Sequence, residues 1–380
     1  MYKFKRVLTS ETDIIDFVRG CTLYGTGGGG LSENGIESLL SELKAGKKIG
    51  WIDVEDIDDD AVTVCSFLMG SIAPHTPEVK KEMAGFGLTE SKYTEKERIA
   101  ESMKELSKYS GEKIDIVVPL ELGGAATPGG IAAGLVNGIP AVDGDYTGRA
   151  IPEIQQTTPY LNDIPLWPLS VVDEFGNTSL VKNAINYRMI ERIGKQISAA
   201  SYGLTGDSGF LMTGKEMKKA IIPGTLTECY ELGKMIRETY EAGEDPVQKI
   251  ADELGGWILI KGIVTGKETE DKLGYYWGTH TVEGSGEFSG QTAKIWFKNE
   301  NHIVWNNDKV IATSPDIITV VNSKDGEPIT NPKLEVGHEV AVLGFKARSM
   351  FRTEKGVDIL GPKYFGFDIE YVPIEDLIKG

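Results

Sequence analysis

The chain is expected to be an α/β protein with a three-layer, Rossmann-like sheet that lacks a true dinucleotide fingerprint, followed by an all-β, barrel-like domain. Three observations predict this. Continuous apolar runs at 61–70 and 114–124 end in glycine and flank a helical segment, as buried parallel strands do. From Trp257 the chain turns to short β-branched and aromatic runs broken by turn residues. Its 380 residues also exceed what one core usually fills.

Taken in order, Ile14, Ile15, Phe17, Val18 and Cys21 recur at helical spacing after Ser10, an N-cap with Glu11 and Asp13 in the first turn. A helix therefore leads into the glycines of "CTLYGTGGGGLSENG". Between the apolar runs, Thr94 and Glu97 form a capping box and Gly111 supplies the stop. "IPAVDGD" (139–145) is a further short strand. Helical patterns follow at 180–197, 225–243 and 245–256, the last with Asp245 as cap and Pro246 in first position. The expected organisation is an α/β domain over 1–170, helical segments packing on it over 171–256, a barrel-like domain over 257–350, and a C-terminal segment over 351–380 that returns to the α/β domain.

Fifty-seven acidic against 40 basic residues give a net charge of −17, which argues against nucleic acid and anionic membrane surfaces as partners. Three scattered cysteines offer neither a disulfide framework nor a metal knuckle, and the start of the chain shows no signal-peptide pattern, so a cytoplasmic protein is expected. A homo-oligomer is the ordinary expectation for such a protein.

Gly25 to Gly30 formally satisfy G-x-G-x-x-G, but that fingerprint needs a strand before it, and Leu31 stands where a phosphate loop needs lysine. No nucleotide is expected. Thr26, Gly27, Gly28, Gly29 and Gly30 can instead present backbone N–H groups as an anion nest or oxyanion hole, or simply make a close crossing. Glu121 ends a predicted strand, where open α/β sheets bind ligands, or it caps a helix. Asp143, Asp145 and Arg149 share one loop: the acids can supply a general base or metal ligands and the arginine a clamp, against the alternative of an Asp–Arg-stapled turn. His75, just beyond a strand end, could join Asp143 and Asp145 around a divalent metal, zinc being the expected ion. Asp207 and Ser208 lie in "TGDSGFLMTG", read as a substrate-contacting or helix-capping loop and not as a nucleophile elbow.

"YGTGGGG", "MGSIAPHTPE", "PLELGGAATPGGIAAGLVNGIPAVDGDYTGRAIPEIQQTT", "YGLTGDSGFLMTG" and "GPKYFGFDIEYVPIEDL" together resemble the S-methyl-thiohydantoin desulfurase family, long associated with hydantoinase and oxoprolinase genes. The resemblance spans nearly the whole chain. It implies an α/β domain followed by a barrel-like one, and hydrolysis at a hydantoin-type ring in which water replaces a methylthio group. On that expectation Asp143 or Asp145 activates the water, Glu121 is the partner acid, and the glycine loop with Arg149 holds the ring. Two rival readings are a hydantoinase- or oxoprolinase-like ring opener, alone or as a subunit, and a non-catalytic partner of such a complex.

Overall fold

The computed structural model describes residues 2–71 and 75–379. Eight strands form the N-terminal sheet: β1 (Phe4–Leu8), β2 (Ile49–Ile52), β3 (Val62–Met69), β4 (Ile116–Pro119), β5 (Ala141–Val142), β7 (Leu169–Val172), β8 (Thr178–Val181) and β9 (Thr205–Thr213), with β6 (Gly144–Asp145) pairing separately with β10 (Ile222–Pro223). The sheet order is β1-β2-β5-β4-β3-β9-β7-β8. The four middle strands from β2 to β3 are parallel, whereas β1, β9, β7 and β8 join antiparallel.

Strand alternation divides the sheet's two cores. Val64 and Val117 face one side, where α1 (Glu11–Tyr24), α2 (Ser32–Lys44), α4 (Glu95–Ser110), α5 (Ala126–Val136) and α9 (Thr225–Glu241) bury Phe17, Leu39, Met103, Ile131 and Ile236. Phe67, Ile116 and Val118 face the other, against α6 (Thr158–Leu161), α7 (Tyr187–Ala200) and α8 (Gly214–Ala220) with Ile190 and Met217. α10 (Pro246–Glu253) adds Val247 and Ile250 to the first of these cores, and the remaining helices are α3 (Pro77–Gly85), α11 (Glu354–Leu360) and α12 (Ile374–Leu377).

The capping box of Ser10 and Asp13 starts α1, and that of Thr94 and Glu97 starts α4. The chain departs from expectation at 171–256, which holds strands as well as helices. "TGDSGFLMTG" is the long strand β9, paired with β3 and β7 near the sheet centre. Its glycines and Asp207 give a loop-like composition, yet the strand is buried on both faces, and Phe210 at φ 47° marks an irregularity in it.

β11 (Trp257–Lys272), β12 (Tyr275–Gly284), β13 (Thr292–Lys298), β14 (Glu300–Asn306), β15 (Lys309–Thr313), β16 (Ile317–Asn322) and β17 (Glu339–Phe345) form the second domain. They make one antiparallel sheet, ordered β15-β14-β13-β12-β11-β17-β16 and curled into a half-barrel around Ile260, Val282, Ile295, Val304 and Val342. The C-terminal segment lies along both domains. Phe351, Ile359 and Leu360 pack with Tyr160 and Ile222, while Phe365 and Phe367 meet Trp296.

Candidate functional site

A cleft of about 60 Å³ lies where the carboxyl ends of the parallel strands β3 and β4 meet the half-barrel. Open sheets use this edge for ligands because helix N-termini and loop N–H groups converge there. Phe67 to Gly70, Leu120, Glu121 and Ile151 to Ile154 form its floor and walls, with Glu191 and Lys195 from α7 and Asn299 and Glu300 from the half-barrel. Asn299 turns between β13 and β14 at φ 58°, and that tight reversal delivers Glu300 to the cleft.

Glu121 extends from β4, and its Oε2 accepts the Ile151 N–H at 2.9 Å. Burial pushes its carboxyl up to about 8, against the pull of that hydrogen bond and of Lys195. Glu300 is buried too, and desolvation together with the nearby Glu121 charge holds its carboxyl well above the usual range. Its Oε2 has no hydrogen-bond partner among the described residues. Both carboxyls line the same cleft, and the charge of one disfavours that of the other, so the two do not ionise easily together.

Lys195 supplies the cleft's positive charge. Its Nζ donates to the Gly70 carbonyl at 3.4 Å and sits 4.3 Å from the Tyr275 ring centroid. One helical turn earlier, Glu191 accepts the Ile154 N–H at 2.9 Å and the Tyr275 hydroxyl at 2.7 Å. Burial raises Glu191, opposed first by Lys195. At the rim Glu153 pairs with Lys298 and accepts the Tyr364 hydroxyl at 2.5 Å. Burial would raise Glu153, but Lys298 and these donors outweigh it and leave the carboxyl below its ordinary value.

The glycine loop closes one side. Gly29 and Gly30 line the cleft, and among the described residues neither N–H has a hydrogen-bond partner. Glycine is required here by approach distance. A Cβ on Gly28 would stand 2.0 Å from Glu300 Oε1, and one on Gly29 2.5 Å from the Gly123 Cα. Gly27 accepts the Asn331 N–H at 2.7 Å and Thr26 accepts the Asn301 N–H at 2.7 Å, so the same loop also ties the domains together.

The acidic loop is placed differently from the catalytic role expected of it. Arg149 is buried with all five N–H groups committed: to the carbonyls of Ala150 (2.9 Å), Pro315 (3.1 Å), Asp316 (3.4 Å) and Asn301 (3.2 Å), and to Thr26 Oγ1 (3.1 Å). It staples the two domains and has no donor left for a ligand. Asp143 accepts the Thr227 N–H (3.0 Å) and hydroxyl (2.7 Å) at the start of α9, and pairs with Lys5 at 3.0 Å. Asp145 accepts Thr147 N–H (2.9 Å) and Gly148 N–H (2.7 Å), which closes its own turn. Neither aspartate lines the cleft. Asp143→Ala is therefore expected to cost about 1–2 kcal/mol as a lost helix cap. A urea titration checks this; an unchanged midpoint with lost turnover would restore the catalytic role.

The proposed metal set does not assemble. His75 Nε2 is engaged with the Tyr202 carbonyl, far along the chain from the turn and cap that occupy Asp145 and Asp143. Among the described residues no three His, Cys, Asp or Glu side chains converge on a metal position. The middle of "MGSIAPHTPE", residues 72–74, lies outside the described residues.

Ser208 is buried between Ser66 (2.9 Å) and Ser102 (2.7 Å), inside the layer under α4. Asp207, on the opposite face of β9, is fully buried, and desolvation pushes its carboxyl up to about 8. A carboxyl raised in the folded state keeps its proton where the unfolded chain has lost it, so its stabilising contribution falls as pH rises from about 4 to about 8. Asp207→Asn should flatten that decline, read as urea midpoints at intervals across the window; an unaltered slope would show that Asp207 is ionised when folded.

Sequence reading missed Glu300, Lys195 and Glu191. The signal for the last two was present: they are four apart in α7 and share the face of the buried Ile190, Gly194 and Ser198. Glu300 had no comparable signal, because a glutamate beside a turn in "KNENH" looks solvated.

A solved crystal structure of a protein from Chromobacterium violaceum is similar in fold, with a TM-score of 0.72 at 18% identity over 97% of this chain and 100% of that one. No curated protein matches the chain. Two family models do, the S-Me-THD-like N-terminal domain over residues 12–183 and the S-Me-THD-like C-terminal domain over 185–374. With both halves matched in order, the chain belongs to the S-Me-THD-like family.

Proposed function

We propose that this protein is a hydrolase acting on a hydantoin-type five-membered ring, converting an S-methyl-thiohydantoin and water into the hydantoin and methanethiol. The observation that carries the reading is the cleft that the buried Glu121 of the strand end and the buried Glu300 of the half-barrel both line, in a chain of this family.

The ring carbon to be attacked lies between two nitrogens and bears the methylthio sulfur. With one of the two glutamates ionised and the other protonated, the ionised carboxylate takes a proton from water as its oxygen bonds to that carbon. The protonated partner gives its proton to the ring nitrogen whose C=N bond is being lost. Collapse of the adduct breaks the C–S bond, the hydroxyl becomes the new carbonyl, and its proton leaves with the thiolate as methanethiol. Thiols are far more acidic than amines, a free cysteine standing at about 8.5, so the thiolate leaves without strong acid assistance. Lys195 opposes the effect of burial on both carboxyls, and the Gly29 and Gly30 N–H groups are available to a ring carbonyl whose negative charge grows during addition.

The test is thiol release from a C5-substituted S-methyl-thiohydantoin, followed colorimetrically with and without a chelator, with the hydantoin product quantified. Equal amounts of thiol and hydantoin, unaffected by the chelator, are expected. Release abolished by the chelator would transfer the base role to metal-bound water. A carbamoyl amino acid without thiol would instead support ring opening of the hydantoinase or oxoprolinase kind.

A further inference from the structure

Resting on that reading, we propose that Asn331 is a positioning residue: it joins the glycine loop to the turn that carries Glu300 and so sets the Glu300 carboxyl against that loop. Asn331 stands in the connection between β16 and β17, is fully buried, and does not itself line the cleft. Its backbone N–H donates to the Gly27 carbonyl at 2.7 Å, and its Nδ2 donates to the Asn299 carbonyl at 2.8 Å. One residue therefore holds both sides.

The side-chain bond bears directly on Glu300. The Asn299 carbonyl and the Glu300 N–H belong to one rigid peptide plane, so fixing that oxygen fixes where the Glu300 side chain begins. The turn is also pinned to β12, where the Asn299 N–H donates to the Tyr276 carbonyl at 2.6 Å and the Tyr276 N–H donates to Asn299 Oδ1 at 2.8 Å. The glycine side fits as closely. A Cβ on Gly27, at φ 88°, would stand 2.6 Å from Asn331 Nδ2 and 2.8 Å from both Cγ and Oδ1, so the carboxamide lies face-on against the Gly27 Cα. Because Glu300 Oε1 would be 2.0 Å from a Cβ on Gly28, the loop and the carboxyl are in contact, and a shift of either changes their geometry at once. A misplacement of about 1 Å among reacting groups can cost about 10²-fold in rate.

The experiment is steady-state thiol release by Asn331→Ala, on samples shown to be folded by circular dichroism. Hydrogen exchange is followed in parallel in the peptides that carry the Gly28 and Asn301 N–H groups, which donate to the Gly25 and Thr26 carbonyls of the loop. kcat should fall about 10²-fold while KM stays within about threefold of wild type, because a residue outside the cleft aligns the reacting groups without touching the ring. Exchange in both peptides should quicken by about tenfold. Asn331→Asp keeps the shape and loses the Nδ2 donor, and it gives the same reading should the alanine variant fail to fold. Gly27→Ala presses on the carboxamide from the other side, so its loss of kcat should shrink in the double variant with Asn331→Ala, where the new Cβ meets no carboxamide. Unchanged kcat in a folded variant, a rise in KM with kcat intact, unchanged exchange, or additive losses in the double variant overturns the proposal. If the wild type releases no thiol, the desulfurisation reading fails, and the exchange rates alone decide whether Asn331 ties the loop to the turn.

Discussion

Glu121→Gln should lower kcat/KM by about 10²–10⁴, the usual contribution of a general acid or base, while the protein stays folded. Glutamine preserves the shape of the side chain and can still accept the Ile151 N–H, so the local hydrogen bond survives. What it cannot do is exchange a proton with Glu300. The wild-type limb of kcat/KM that reports the pair should lie well above the ordinary carboxylate range, because burial raises both groups. In the variant that limb should disappear along with most of the rate. Stability should respond in the opposite direction. A carboxyl raised by burial contributes stability below the ordinary carboxylate range and loses it as pH rises towards 8, so Glu121→Gln should be at least as stable as wild type at pH 8. The measurement is a pH–rate profile with Tm recorded on the same samples. Full activity in a folded variant would remove the pair from the mechanism.

Arg149→Met should show the largest effect on stability, about 3–5 kcal/mol, corresponding to a fall in Tm on the order of 10 °C. The substitution keeps the apolar stem and removes five donors at once. Four buried carbonyls, from Ala150, Asn301, Pro315 and Asp316, then lose a partner where water is absent. Glu300 and Glu121 also lose a nearby cation that offsets their burial. If Arg149 were instead the substrate clamp suggested by its loop, the variant would fold normally and raise KM with Tm intact. Denaturation together with steady-state kinetics separates the two outcomes. A stable variant with impaired substrate binding would reject the staple.

Much of the architecture was legible in the chain itself because its signals are local. Ser10 with Asp13 and Thr94 with Glu97 fix helix starts through hydrogen bonds closed within four residues. The apolar runs ending in glycine marked β3 and β4, since a strand covered on both faces has no polar face to interrupt it. The turn-punctuated β-branched runs after Trp257 marked the half-barrel. Glu121 was singled out by its place at a strand end, and it lines the cleft. β9 was not legible: small and acidic residues there suit burial between neighbouring strands, which composition does not reveal.

Site roles depended on partners distant in sequence. Asp143, Asp145 and Arg149 carry the residue types of a catalytic loop, yet Thr227, the turn at Thr147 and Gly148, and the carbonyls at 301, 315 and 316 consume their hydrogen-bonding capacity. Glu300 and Lys195 carry no local mark, and only the meeting of the half-barrel, α7 and the ends of β3 and β4 puts them beside Glu121. The sequence by itself thus determined the two domains and their layers, because secondary structure and core patterning follow from short-range periodicity. Tertiary structure alone decided which charged groups are free to react, because burial, and most of the partners found in it, are set by contacts between segments far apart in the sequence.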